Sequence, residues 1–237
     1  MPRPTVLVVE DEPNLRKLIR VNLERRDYLV REAEDGLAAQ VIMQQHWPDA
    51  VILDLRMPRM DGVELTKWIR QQSHLPPILV LSAINEEAVK VEALDEGADD
   101  YIVKPFRNYE EFFARLRAVM RRAALPEQLN KAEVVEFGGI TVDIKAKRVF
   151  KDGQDLRLTR TEFNLLAALA HSLDKVLSHD DLLAKVWGGE YVGSNHYLHV
   201  YLGRLRKKLE PYDSLLETVA GIGYTLKSTG GCSTSTP

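Results

Sequence analysis

Ala50-Val51-Ile52-Leu53-Asp54 is an unbroken apolar run closed by a carboxylate, and the loop-forming segment Met57-Pro58-Arg59-Met60-Asp61-Gly62 follows it. A strand with one wet face alternates apolar and polar side chains, so a solid run this short fits a strand buried on both faces. Comparable runs lie outward on either side, at Thr5–Val9, Tyr28–Val30, Ile78–Leu81 and Tyr101–Val103. Between them the spacing predicts helices over Pro13–Arg25, Gly36–Gln45, Gly62–Gln71, Glu86–Glu96 and Tyr109–Arg122. Pro13 suits a first helical turn and Gly97 a helix stop. Five strands interleaved with helices predict an α/β unit, a five-stranded doubly wound parallel sheet, over residues 1–124.

The chain has 237 residues, more than one domain of the usual size requires, so a second compact unit is expected. Apolar residues make up 45% and charged residues 28%, which is ordinary for a globular protein. No apolar run is long enough for a membrane span, and no signal-peptide core follows Met1-Pro2-Arg3-Pro4, so a cytoplasmic location is expected. The one cysteine, Cys232, excludes an intrachain disulfide and reads as an inert thiol in a disordered tail, residues 229–237. Net charge is −3, and residues 126–237 carry 14 basic and 14 acidic side chains. Any nucleic-acid surface there must be a local patch.

The pattern breaks at Leu125-Pro126-Glu127-Gln128-Leu129-Asn130-Lys131, so residues 125–133 are expected to form a linker. Brief alternating strands follow, with turns at Gly138-Gly139 and Lys151-Asp152-Gly153. The period then changes: Thr161–Ser172, His179–Val186 and Asn195–Leu209 read as helices, and Glu217–Leu226 as a hairpin around Gly221-Ile222-Gly223. Residues 134–228 are therefore expected to form a small α+β unit.

In an open parallel sheet, ligands bind beyond the carboxyl ends of the strands. Glu10-Asp11, Asp54, Ser82 and Lys104-Pro105 stand at four such ends. Three carboxylates converging there repel one another, and their hard oxygens favour Mg²⁺. With that charge neutralised, Asp54 can act as a carboxylate nucleophile on a phosphoryl donor, Lys104 can pair with a phosphoryl oxygen and Ser82 can hydrogen-bond the group.

The segments Leu7–Glu12, Ile52–Gly62 and Gly97–Phe106 resemble the three signatures of bacterial response-regulator receiver domains. The resemblance implies Asp54 as phosphoacceptor and Glu10, Asp11, Asp54 and the Arg56 carbonyl as Mg²⁺ ligands. It also implies Ser82 and Tyr101 as a switch pair and a cis Lys104–Pro105 bond. In the subfamily it resembles, the phosphorylated receiver dimerises through the face built by its fourth helix, fifth strand and fifth helix. Here Lys90, Asp99 and Asp100 on one side, with Glu111, Arg115 and Arg117 on the other, are candidates for reciprocal ion pairs. A solvated surface without a partner is the alternative. Between Phe106 and Glu111 the chain is one residue longer than the family pattern.

On the helix Asn195–Leu209, Leu198, Leu202, Leu205 and Leu209 form one stripe, and His196, His199, Gly203 and Lys207 form another on the opposite side. Arg204, Arg206 and Lys208 flank the second stripe, a pattern that suits a recognition helix in a major groove. The stretches Leu158–Leu166, Leu182–Gly188 and Leu205–Leu209 resemble the winged-helix output domain of the OmpR/PhoB family, with Gly221-Ile222-Gly223-Tyr224 as its wing. Asn195–Gly203 together with Gly221-Ile222-Gly223-Tyr224 is similar to regulators of Kdp-type potassium uptake. Ala220 and Thr225 occupy places where that family often has arginine, and His196 and His199 stand where Arg and Asp are common.

The function implied is a phosphorylation-dependent transcriptional regulator and not a turnover enzyme. Implied partners are a sensor histidine kinase, double-stranded DNA, RNA polymerase and, after phosphorylation, a second copy of the chain. Three other readings remain: a phosphatase using Asp54, a regulator acting by protein contact, and DNA binding indifferent to phosphorylation.

Overall fold

The computed structural model describes residues 3–72, 76–105, 109–122 and 134–228. The expected linker, the tail with Cys232 and the extra residue between Phe106 and Glu111 fall outside, or partly outside, the described residues. The chain divides into two compact units, residues 1–123 and 124–237.

In the first unit, β1 (Thr5–Val9), β2 (Leu29–Ala33), β3 (Ala50–Asp54), β4 (Ile78–Ser82) and β5 (Asp100–Val103) form one parallel sheet in the order β2-β1-β3-β4-β5. The helices between and after them are α1 (Pro13–Glu24), α2 (Gly36–Gln45), α3 (Gly62–Gln72), α4 (Glu87–Asp95) and α5 (Tyr109–Arg122). The strand order moves one way after β1 and the other way thereafter. Right-handed crossovers therefore place α1 on one face and α2, α3 and α4 on the other. Val6, Val8, Ile52, Leu79 and Leu81 pack with Ile19 and Leu23 of α1 and Phe112, Phe113 and Leu116 of α5. The alternate residues Leu7, Val9, Val51 and Leu53 are equally buried on the opposite face.

β1, β3 and β4, whose apolar runs are unbroken over four or more residues, lie centrally, as their composition requires, while the shorter runs of β2 and β5 lie at the edges. β2 begins and ends later than Tyr28–Val30, because it is an edge strand paired only with β1 and carries Arg31 and Glu32 with one side wet. Hydrophobicity marks such a strand poorly.

Arg70 of α3 ties the far end of the sheet together. It is buried; its Nε and Nη2 donate to the Gly97 carbonyl at 3.0 and 2.9 Å, Nη1 donates to the Pro76 carbonyl at 2.9 Å, and Nη2 pairs with Asp99 at 2.8 Å. Gly97 has φ of 120°, and a Cβ there would press on the Arg70 stem. Helix stop and buried guanidinium are thus one feature.

In the second unit, β6 (Val134–Phe137), β7 (Ile140–Asp143), β8 (Arg148–Lys151) and β9 (Gln154–Asp155) form an antiparallel sheet. Then come α6 (Arg160–Ala170), β10 (Leu177–Ser178), α7 (His179–Val186), α8 (Asn195–Leu209), β11 (Leu216–Val219) and β12 (Gly223–Leu226). The last sheet has the order β10-β12-β11. β10 is too short for any sequence period to reveal; it forms because Leu177 and Ser178 pair with Tyr224 and Gly223, where a Cβ on Gly223 would overlap the Leu177 carbonyl. Leu165, Leu166 and Leu169 of α6, Leu182 and Leu183 of α7, Trp187, and Leu198, Leu202, Leu205 and Leu209 of α8 are buried apolar residues of this unit. Among the described residues, no helix is long and apolar enough to cross a membrane.

Removing a partner from a buried, hydrogen-bonded ion pair typically costs about 3–5 kcal/mol. Arg70→Ala is expected to destabilise the first unit by that order, read as a lower urea midpoint by tryptophan fluorescence, while unfolding of the second unit stays unchanged.

Candidate functional site

Parallel register brings the carboxyl ends of β1, β3, β4 and β5 to one edge. Glu10 and Asp11 follow β1, Asp54 ends β3, Ser82 ends β4 and Lys104 follows β5. Glu10, Asp11 and Asp54 each offer a carboxylate oxygen within 4.8 Å of the others, with Asp11 exposed and Glu10 and Asp54 buried. Lys104 Nζ lies 2.6 Å from Glu10 Oε2 and 2.7 Å from Asp54 Oδ2, one ammonium bridging two carboxylates. The Arg56 N–H donates to Asp54 Oδ1 at 3.3 Å. A Cβ at Gly62 would overlap the Asp54 carbonyl, so α3 can start this close to the site only with glycine there.

Burial raises the Glu10 carboxyl above its ordinary range, against the pull of Lys104. Burial also works to lower the Lys104 ammonium, but its hydrogen bonds to Asp54 and Glu10 prevail and raise it. Lys104 therefore stays charged while the carboxylates press for more positive charge than one ammonium supplies. Three hard oxygens with an open side at Asp11 fit a hard divalent cation such as Mg²⁺.

Ser82 is fully buried and its Oγ accepts from the Ile84 N–H at 3.3 Å. Tyr101 is buried, and its hydroxyl donates to the Ile84 carbonyl at 2.7 Å. Burial pushes its phenol up. Ser82 and Tyr101 thus meet at one residue of the loop after β4. The Lys104–Pro105 bond is cis. One contributor was not read from the sequence: Arg16 of α1 donates to the Glu10 carbonyl at 2.5 Å and the Asp11 carbonyl at 3.3 Å, holding the loop that carries both carboxylates. Its helical position carried no signal distinct from a solvated face.

The expected dimer face needs correction. Asp99 is buried against Arg70 and is not a surface residue. Asp100 is fully buried and accepts from Arg115 Nη1 at 3.2 Å within the chain. Strand alternation turns the two neighbours apart, Asp99 toward α3 and Asp100 toward α5, and no sequence pattern discloses such burial of carboxylates. Arg115 also pairs with Glu111 at 3.1 Å, and Lys90 donates to Asn85 at 2.8 Å. Arg117 is exposed.

On α8, His199 and Lys207 are exposed, and His196 and Gly203 are half-buried, with open space beyond a Cβ at Gly203. The flanking cations differ from expectation. Arg204 Nη2 lies 2.9 Å from Glu162 Oε1, and Lys208 Nζ lies 2.7 Å from Glu162 Oε2. Arg206 donates to the Leu216 carbonyl at 2.9 Å and to Thr218 Oγ1 at 2.8 Å. These cations fasten the helix to its own unit. Thr225 is buried, while Ala220 and Ile222 are exposed on the wing.

Glu162 also closes the capping box of α6 with Thr159. The Thr-x-x-Glu spacing was a legible signal, but the pairing to α8 was not. Burial would raise the Glu162 carboxyl, yet Arg204 and Lys208 together hold it below its ordinary range.

A doubly wound sheet with an acidic crevice, joined to three helices and a β-wing, defines a receiver unit followed by a winged-helix unit. Residues 6–117 match the response regulator receiver domain, and residues 153–226 match the family described as transcriptional regulatory protein, C terminal. The transcriptional regulatory protein KdpE of Mycobacterium tuberculosis is 42% identical over 226 residues, covering 94% of this chain and 99% of the relative. The response regulator ArlR of Staphylococcus aureus is 38% identical over 224 residues, with the same two shares. A solved structure of a RitR mutant superposes with a TM-score of 0.77 at 26% identity, over 95% of this chain and 99% of that one. The chain belongs to the two-component response regulators of the OmpR/PhoB family, with a receiver domain and a DNA-binding transcription-regulator domain.

Two outcomes are expected. Lys104→Met, which leaves the carboxylates without their ammonium, should lower the stability of the first unit by about 1.5–3 kcal/mol in chelator, and millimolar Mg²⁺ should recover part of the loss in the same urea titration. Glu162 has a lowered folded pKa, so its contribution is present above the ordinary glutamate range and fades as pH falls through the folded value. Glu162→Gln should remove that acid-side slope from the stability of the second unit, followed by urea midpoints between neutral and acid pH.

Proposed function

We propose that this chain is a phosphorylation-switched transcriptional regulator in which Asp54 accepts a phosphoryl group from a sensor histidine kinase. The observation that carries the reading is the Lys104 ammonium bridging Glu10 and Asp54 beside Asp11. An Asp54 oxygen attacks phosphorus, the bond to the kinase histidine breaks, and the displaced imidazole takes up a proton. Lys104 leaves its carboxylate partner to pair with a phosphoryl oxygen, and Ser82 donates a hydrogen bond to another. Bound Mg²⁺, held by Glu10, Asp11, Asp54 and the Arg56 carbonyl, would supply the positive charge that the acceptor and phosphoryl oxygens share. When Ser82 turns to the phosphoryl group it gives up the Ile84 N–H, and Tyr101, bonded to the same residue, carries the change toward α4 and β5.

The output is dimerisation of the receiver and sequence-specific binding of the winged helix to double-stranded DNA, followed by contact with RNA polymerase in the cytoplasm. Lys90, Glu111, Arg115 and Arg117 are the residues left to make ion pairs between copies; Asp100 takes part only by exchanging Arg115 of its own chain for that of the other. His196, His199, Gly203 and Lys207 face the groove, while Arg204 and Arg206 act as supports. The regulatory unit spans residues 1–124 and the output unit 134–228, joined by residues 125–133 and followed by a tail, 229–237. The aspartyl phosphate is a signal and not an intermediate of a turnover enzyme.

In a mobility-shift titration on operator-containing duplex, a small-molecule phosphodonor with Mg²⁺ should tighten binding of the wild type by about tenfold or more and leave Asp54→Ala unchanged. Equal binding in all four conditions would remove Asp54 as the control point.

A further inference from the structure

We propose that Tyr224 of the wing fixes the protonation pattern of His199, so that α8 offers one outward N–H donor to the base edges of double-stranded DNA; this rests on the reading of α8 as the major-groove helix. The Tyr224 hydroxyl lies 3.1 Å from His199 Nδ1. Tyr224 is 3% exposed whereas His199 is exposed, so the bond joins a buried phenol to a surface ring. A buried phenol O–H takes an acceptor, and Nδ1 is the one it meets. Burial also raises this phenol, which keeps its proton on oxygen.

A ring nitrogen that accepts carries no hydrogen, so neutral His199 bears its proton on Nε2. The arrangement is braced from both sides. His179, at the start of α7, stands edge-on to Tyr224 with ring centroids 5.4 Å apart and planes at 81°, and 6.5 Å from the His199 ring. The Arg206 guanidinium lies 6.0 Å from the centre of the Tyr224 ring and is itself held by Leu216 and Thr218. Nε2 has no hydrogen-bond partner among the described residues.

An unconstrained histidine reads donors and acceptors alike, because its tautomers exchange. A locked Nε2–H pairs only with acceptors: in the major groove guanine offers two, N7 and O6, and thymine offers O4, whereas adenine sets its N6 amino donor beside its single acceptor N7 and the cytosine amino group meets the ring with a clash of donors. Gly203, one turn further along α8, has only open space where a Cβ would stand, so the helix can lie close to the base edges there. His199 is thus a specificity-determining residue and Tyr224 a positioning residue that acts through it.

The test uses the full chain with phosphodonor and Mg²⁺. Preferred sites are selected from randomised duplexes, and single-position variants of the selected site are then titrated for wild type, Tyr224→Phe and His199→Gln. In the wild type, one position of each half-site should prefer guanine or thymine. Tyr224→Phe, which removes only the hydroxyl, should cut discrimination at that position by about tenfold, while non-specific affinity and its salt slope stay as in the wild type. His199→Gln should move the preference at the same position toward adenine, because glutamine pairs with adenine N6 and N7. Discrimination unchanged in Tyr224→Phe, or affinity lowered evenly at every position, would overturn the lock. An unmoved preference in His199→Gln would overturn the role of His199 even if Tyr224→Phe failed to fold. A wild type without preference at any position would overturn the reading of α8 itself, and the proposal with it.

Discussion

Like charges forced together at the carboxyl edge of the sheet are the constraint around which the first unit is organised. Glu10, Asp11 and Asp54 cannot separate, because each is fixed to the end of a strand whose neighbours are buried. Lys104 answers two of them, Glu10 and Asp54, and Arg16 anchors the loop that carries Glu10 and Asp11 by their backbone carbonyls. The site is therefore short of positive charge by construction. A hard divalent cation fits that shortage, and the one ammonium is shared between two carboxylates.

The second unit solves a related problem with the opposite sign balance. One buried carboxylate, Glu162, draws Arg204 and Lys208 from α8, while Arg206 turns to β11. A helix counted as strongly basic in the sequence keeps much of that charge for its own fastening. What it leaves outward is a narrow row of His199, Gly203 and Lys207, with half-buried His196 beside it. Net neutrality of this half and an outward row on one helix are compatible for that reason: the cations nearest the core stabilise the orientation of the helix, and the row points away from it.

Much of the architecture was legible. Solid apolar runs gave the central strands, and Pro13, Gly97 and the heptad-like leucines of α8 gave helix limits and faces within a residue or two. The edge strand β2 was displaced because its solvent side needs no hydrophobic residues, and β10 escaped because two residues carry no period. The acidic crevice could be assembled from chain positions alone once the sheet was taken as parallel. The side on which a charged residue would lie could not. Asp99 and Asp100 read as a surface pair and are buried in opposite directions; Arg204, Arg206 and Lys208 read as flanks of an outward face and are tied to Glu162, Leu216 and Thr218.

Local patterning determined which segments become strands and helices, because burial on two faces, burial on one stripe and turn chemistry each leave a short-range periodic mark. It also determined which carboxylates, hydroxyl and ammonium line the crevice, since loops at strand ends carry them irrespective of packing detail. Only the tertiary structure decided which charges are counter-ions and which are free. Pairing energy depends on separations of a few ångströms and on local burial, and these link residues such as Glu162 with Lys208, or Tyr224 with His199, that are far apart in the chain.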